Sequence, residues 1–274
     1  MSGNGTQPAA GAAATLAPAA EAVLEIRDVH VSFGGVKALD GVSLSVVPGE
    51  VCGLIGPNGA GKTTLFDVIS GVRLPTRGRV FLSGEDVTTT SPIDRSHLGL
   101  RRTFQAVQVF GWLSVIDNVV AALDWEGGGG GLLADLVASP TRRRRDRERR
   151  ARAREALELC GLGAVADAPA GSLPIGLARM VELARATVDP PKVLLLDEPT
   201  SGLDASEAHR LADRMASICD AARCAVVLVE HDMDFMMSQC HRLVVLNLGQ
   251  VIAAGTPDEV RADESVRAAY LGGG

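Results

Sequence analysis

The stretch GPNGAGKTT, residues 56–64, constrains this chain more than any other part of it. It follows a mostly apolar run ending at Gly56. It leads into KTTLFDVISG, which reads as a helix with Gly71 available as its C-terminal stop. The spacing G-x-x-x-x-G-K-[ST] between a strand and a helix describes a phosphate cradle. Its glycines let backbone N–H groups turn inward around phosphate oxygens, and the helix adds the positive end of its dipole. Lys62 is placed to reach the β- and γ-phosphates of a nucleotide, and the Thr63 hydroxyl to ligate Mg2+. The first candidate site is therefore the whole loop: Gly56, Pro57, Asn58, Gly59, Ala60, Gly61, Lys62, Thr63 and Thr64.

Further chemistry-bearing residues stand where a nucleotide site needs them. VLLLDEP puts Asp197 and Glu198 at the carboxyl end of an apolar strand, the edge at which open α/β sheets hold ligands. Asp197 suits the Mg2+ shell, and Glu198 is the natural group to polarise an attacking water. VVLVEHD puts His231 after a second such strand, where it can meet a γ-phosphate. Gln105 in RTFQ fits a surface position as well as a site. Phe33, in an FGG turn, fits either a core position or an adenine-stacking one.

The rest of the chain alternates strand and helix character, which predicts an α/β fold. Residues 22–33 read as a strand, and HRLVVLNLGQVIAAG as a hairpin turning at Asn247–Gly249. Unbroken apolar runs such as Val193–Leu196 suit strands of a parallel sheet buried on both faces. Residues from about 107 to 186 show helical periodicity and loop, as an insertion would. This middle part holds a glycine run at 126–131 and the arginine-rich segment 142–154, which reads as a solvated helix face. The Ala/Gly/Pro-rich stretch 1–22, without a charged side chain in its first twenty residues, reads as a disordered tail and lacks the basic start of a secretory signal.

Composition excludes several classes. A net charge of −6 argues against nucleic acid as a partner. No apolar run approaches the roughly 20 residues of a membrane span. Five cysteines without C-x-x-C spacing read as small core residues rather than a metal or disulfide framework.

In order, the chain carries VSFGG, GPNGAGKTT, RTFQ, LPIGLARMVELARA, VLLLDEPTSGLD and VVLVEHD. This ordered set resembles the ABC-type ATPase subunits over roughly residues 23–271. The resemblance implies an α/β fold: a P-loop NTPase core with a mainly parallel sheet, an antiparallel β portion and an inserted helical subdomain. The core would be about 23–106 and 187–271, and the helical subdomain about 107–186. It implies ATP and Mg2+ as cofactors. Phe33 matches the adenine-stacking aromatic, Gly56 to Thr64 the Walker A loop, and Gln105 the Q-loop residue that senses Mg2+. Asp197 ends Walker B, Glu198 is the catalytic carboxylate, Asp204 belongs to the D-loop, and His231 is the switch histidine.

RTFQAVQVFGWLSVIDNVVAAL and the ending GTPDEVRADESVRAAYLG look like ATPase subunits of branched-chain amino acid importers. Urea or amide importers and lipid or polysaccharide exporters are the alternatives, and a soluble ABC ATPase is a more distant one. The resemblance further implies a second ATPase subunit, identical or paralogous, transmembrane permease subunits and, indirectly, a solute-binding protein. The chain would sit peripherally on the cytoplasmic face of the membrane. The family signature, usually LSGGQ, reads here Leu173, Pro174, Ile175, Gly176, Leu177. Leu173, Gly176 and the helix start would face ATP on the other subunit, with the serine hydroxyl replaced by Pro174. Pro174 is expected just inside the helix start, where its missing N–H is harmless.

Overall fold

The computed structural model describes residues 21–103, 105–123 and 140–271. The expected tail, apart from residues 21 and 22, and the glycine run at 126–131 lie outside the described residues.

Six strands form the central sheet in the order β10-β9-β3-β8-β7-β6. They are β3 (Val51–Ile55), β6 (Leu100–Arg102), β7 (Val193–Asp197), β8 (Ala225–Val229), β9 (Arg242–Asn247) and β10 (Gln250–Gly255). Only the β9–β10 hairpin is antiparallel; the other pairings are parallel. A second, antiparallel sheet runs β2-β1-β4-β5, with β1 (Leu24–Phe33), β2 (Val36–Val46), β4 (Arg77–Leu82) and β5 (Glu85–Asp86).

Alternate residues of each central strand enter different cores. Val193 and Leu195 of β7, with Val227 and Val229 of β8, pack toward the antiparallel sheet and helix α1 (Lys62–Ser70). Leu194, Leu196, Val226 and Leu228 pack on the other face. There they meet α3 (Val115–Ala121), α4 (Pro140–Leu159), α5 (Ile175–Thr187) and α6 (Ala205–Ala222). The apolar runs are continuous because both faces are buried. All five cysteines are buried thiols, and burial pushes Cys52 up to about 12.

Helix α4 carries the arginine-rich segment. Ala153, Ala156 and Leu157 form its buried stripe, while Arg144 pairs with Glu148 at 2.8 Å and Arg150 with Asp117 of α3 at 2.7 Å. Helix α5 begins at Ile175, so Pro174 is its N-cap, one residue outside the expected position. Short helices α2 (Pro92–His97), α7 (Met233–Gln239), α8 (Pro257–Ala262) and α9 (Glu264–Leu271) complete the described elements.

One cation braces the helix that follows the phosphate loop. Arg95 of α2 is fully buried. Its Nη1 donates to the Val68 and Ile69 carbonyls at 2.7 and 2.6 Å, its Nη2 to Thr88 O at 2.9 Å, and its Nε to Thr90 O at 3.1 Å. Val68 and Ile69 are in the last turn of α1, where the dipole is negative; the Val68 carbonyl also accepts from the capping Gly71 N–H at 3.2 Å. Burial pushes the guanidinium down to about 10, and the nearby Asp86 charge works against that shift. Arg95→Met removes these donors and strands buried carbonyls. It is expected to lower the unfolding free energy by about 3 kcal/mol or more, as measured by chemical denaturation.

Candidate functional site

The phosphate loop leaves β3 at Ile55 and enters α1 at Lys62. Two of its glycines are required by packing. Gly56 has φ +152°, and a Cβ there would lie 2.1 Å from the Leu246 carbonyl oxygen. Gly61 has φ +108°, and a Cβ would lie 2.6 Å from the Ala38 carbonyl oxygen. The loop is thus pressed between β9 and β2, and only a bare backbone fits. Lys62 is buried, and its Nζ donates to the Gly56 and Pro57 carbonyls at 2.6 and 3.1 Å. Burial pushes its ammonium down; the Glu198 and Asp197 charges oppose this. The loop residues Asn58 to Thr64 line a cavity of about 210 Å³ together with Ala38, Val229, Glu198 and His231.

Glu198 is the meeting point of the site. It follows the last residue of β7 and holds φ +47°, a left-handed conformation unusual for a side-chain-bearing residue. Gln105 Nε2 donates to its Oε2 at 2.7 Å, and His231 Nε2 donates to its Oε1 at 2.9 Å. Two residues selected from the sequence therefore converge on the carboxylate of a third. Asp197, at the end of β7, is held by Arg102, whose Nη2 lies 3.2 Å from Asp197 Oδ2 and whose Nη1 lies 2.7 Å from Asp67 Oδ1 of α1. Burial pushes the Asp197 carboxyl up, and the Arg102 charge pulls against it.

The donors offered here are a threonine hydroxyl (Thr63), a carboxylate (Asp197) and a side-chain amide (Gln105), all hard oxygens that suit Mg2+. Among the described residues, no group of three or more His, Cys, Asp and Glu is placed to hold a metal. Such a sparse donor set fits a cation completed by phosphate oxygens and water.

Other selected residues lie apart from this cavity. Phe33 ends β1, half-exposed, with the Arg73 guanidinium stacked 4.4 Å over its ring. Gly176 opens α5 against Glu207, whose Oε1 would be 2.4 Å from a Cβ at that position. Asp204 caps α6: it accepts from Glu207 N at 2.8 Å, and its own N–H donates to Glu207 at 3.2 Å. The Glu207 backbone N–H holds the Asp204 carboxyl below the usual range. Leu173 precedes Pro174, which makes no side-chain capping bond. The signature start and Asp204 thus neighbour one another, and neither lines the chain's own phosphate cavity.

Helix α5 is also tied to the segment after Gln105. Arg179 Nη2 donates to the Gln105 carbonyl at 2.5 Å, and Gln108 N donates to Glu182 Oε1 at 2.7 Å. Arg185 bonds the Gln108 carbonyl. Arg179 and Glu182 are themselves a buried pair at 3.1 Å.

Two residues carry site geometry without a clear mark in the sequence. Arg102, three positions before Gln105, bridges α1 and Asp197. Glu230, directly before His231, is buried and accepts from Thr200 N and Oγ1 at 2.7 and 2.6 Å. An acid ending a fully apolar strand was the available signal for Glu230; nothing in the spacing singles out Arg102.

The chain is similar to known ATP-binding cassettes over nearly its whole length. A family model described as "ABC transporter" matches residues 39–201, and one described as "Branched-chain amino acid ATP-binding cassette transporter" matches residues 250–274. The high-affinity branched-chain amino acid transport ATP-binding protein BraF of Pseudomonas aeruginosa is 37% identical over 250 residues, covering 91% of this chain and 98% of that protein. LivG of Escherichia coli K12, of the same description, is 36% identical with the same coverage. The lipopolysaccharide export system ATP-binding protein LptB of Acidithiobacillus ferridurans is 34% identical over 250 residues, covering 91% and 97%. Among solved structures, a nucleotide-free ATP-binding cassette from an ABC transporter aligns with TM-score 0.78 at 30% identity, covering 91% of this chain and 98% of that one. An ATP-binding cassette of an ABC transporter in its ADP conformation aligns with TM-score 0.78 at 31% identity, covering 92% and 99%.

The loop geometry separates two glycines by experiment. Gly59 has φ +79° with open space around it, so Gly59→Ala is expected to destabilise by only about 1 kcal/mol of backbone strain. Gly56→Ala adds a steric clash with backbone and is expected to cost about 3 kcal/mol or more. Denaturant unfolding of the two variants measures the difference, and binding of a fluorescent ATP analogue should be lost in Gly56→Ala.

Proposed function

Because this chain belongs to the ABC transporter family as an ATP-binding and ATP-hydrolysing subunit, we propose that it powers import of branched-chain amino acids. The match of residues 250–274 to the branched-chain amino acid cassette model carries this reading. The export-system relative at 34% identity is the second reading; the C-terminal match favours import.

The chemistry follows from the residues in the cavity. The N–H groups from Gly59 to Thr64 and the Lys62 ammonium bind the β- and γ-phosphates of ATP. Glu198 accepts a proton from the water that attacks the γ-phosphorus, giving ADP and phosphate. His231 and Gln105 orient the Glu198 carboxylate through the two hydrogen bonds described. Thr63, Asp197 and Gln105 would hold Mg2+, which neutralises phosphate charge when bound. Phe33 would stack on adenine, in the place where Arg73 now covers its ring.

The site is completed by a second ATPase subunit. Leu173, Gly176 and Asp204 serve ATP held by that partner, in keeping with their distance from the cavity of their own chain. The transmembrane permease subunits dock beside the Gln105–Gln108 segment. Next to that segment Trp112 is 81% exposed and pairs with Phe110, on which Arg185 stacks at 4.9 Å. Exposed aromatic and arginine side chains of this kind are favoured at protein interfaces. Among the described residues no helix is long and apolar enough to cross a membrane, in keeping with a peripheral subunit held at the cytoplasmic face by its permease.

Glu198→Gln is expected to bind ATP normally and to lower hydrolysis by about a hundredfold or more, as measured by phosphate release; ordinary turnover in this variant would falsify the assignment of Glu198. For the solute, the full chain is reconstituted in proteoliposomes with its partner ATPase, its membrane subunits and the solute-binding protein. ATP-dependent uptake of leucine is expected, and hydrolysis without uptake of leucine, isoleucine or valine overturns the amino acid reading.

A further inference from the structure

The catalytic carboxylate sits in a strained place. Glu198 keeps φ +47°, a strained conformation that side-chain-bearing residues hold only where their surroundings fix them there. Its backbone N–H is anchored across the sheet to Val229 O at 2.9 Å. The chain then makes a tight turn, with Ser201 N bonded to Glu198 O at 3.1 Å and Leu203 N to Thr200 O at 3.0 Å. These bonds are local and do not by themselves tie the turn to the rest of the site.

That tie is Glu230. It emerges from β8 one residue after Val229, and it is 6% exposed. Its Oε1 accepts from both the backbone N–H and the hydroxyl of Thr200, at 2.7 and 2.6 Å. Its Oε2 accepts from the backbone N–H of His231 at 3.2 Å. A buried carboxylate is tolerated only when its lone pairs are used, and here the donors come from two separate chain segments. One segment carries Glu198, and the other carries His231, which bonds Glu198 Oε1. The same carboxylate therefore fixes both ends of the Glu198–His231 contact. On the far side of Thr200, the turn runs on through Gly202 to Asp204, beside the start of α5.

We infer that Glu230 is a positioning residue for ATP hydrolysis: through Thr200 and the His231 backbone, it holds Glu198 and His231 in mutual register. It does not line the phosphate cavity, so it acts on turnover rather than on nucleotide binding. The inference rests on the reading of Glu198 as the group that activates water.

The test uses the full chain with Glu230→Gln, Thr200→Val, Thr200→Ser and, as a reference, Glu198→Gln. Gln keeps an oxygen for Thr200 but presents an amide toward the His231 N–H. Val keeps the shape of Thr and removes only the hydroxyl donor. Turnover, affinity for a non-hydrolysable ATP analogue by calorimetry, and melting temperature are measured for each. Misplacing a catalytic group by a fraction of an ångström to an ångström slows reactions by about ten- to a hundredfold. Losses of kcat in that range are expected for Glu230→Gln and Thr200→Val, with analogue affinity unchanged and the melting temperature lowered by only a few degrees. Thr200→Ser, which restores the hydroxyl, should regain most of the rate. The double variant should fall no further than its worse parent, because both changes break one linkage.

The inference is overturned if kcat stays within about twofold of the parent in Glu230→Gln and Thr200→Val. It is equally overturned if their kcat losses come with parallel losses of analogue affinity, as a general packing role would produce. Should Glu230→Gln not fold, the Thr200→Val and Thr200→Ser pair decides. Full ATPase activity in Glu198→Gln would sink the water-activation reading itself. An inactive Glu198→Gln beside active Glu230→Gln and Thr200→Val variants would sink only the role of Glu230.

Discussion

Val229 pairs with Leu54 on one side and with Asp197 on the other, in two parallel ladders. Everything at the site depends on that register. β3, β8 and β7 end at one level of the sheet, so the chain segments that leave them emerge together. One becomes the phosphate loop, one begins with Glu230 and His231, and one begins with Glu198. A parallel sheet buried on both faces holds such a register firmly, because a slip of one residue would turn every side chain of a strand toward the wrong core. Val193 and Leu195 of β7 face one core and Leu194 and Leu196 the other, so each side chain is fitted to its own set of neighbours.

Buried polar groups then turn a shared strand edge into a defined geometry. Arg95 satisfies the carbonyl end of α1 while the amino end of the same helix faces the phosphate cavity. Arg102 joins Asp67 on α1 to Asp197 on β7. Glu230 joins the turn after Glu198 to the backbone of His231. Each of these groups is buried and would be expensive if left unpaired, so each one fixes the distance between two elements.

Helix α5 extends the same logic to the inserted helices. Arg179 and Glu182 grip the backbone of Gln105 and Gln108, so the signature start at the head of the same helix is linked to the segment whose Gln105 bonds Glu198. A force applied to the exposed Phe110 and Trp112 would reach Glu198 through Gln105, with Arg185 on Phe110 completing the connection to α5.

Much of this was legible in the residues. The phosphate loop was readable because a glycine spacing is a local requirement, met within nine consecutive residues. The helices α1, α4 and α6 and the strands β7 and β8 were readable because their periodicity and burial are local too. The short β6 and α2 were not, since three residues of strand and six of helix carry too little pattern. The sequence by itself determined which residue types meet a nucleotide and which segments form strands or helices. Only the tertiary structure decided that Gln105 and His231 meet on Glu198, that Arg102 holds Asp197, and that Glu230 holds Thr200. These partners stand 93, 33, 95 and 30 positions apart, and such distances close only through strand register and packing.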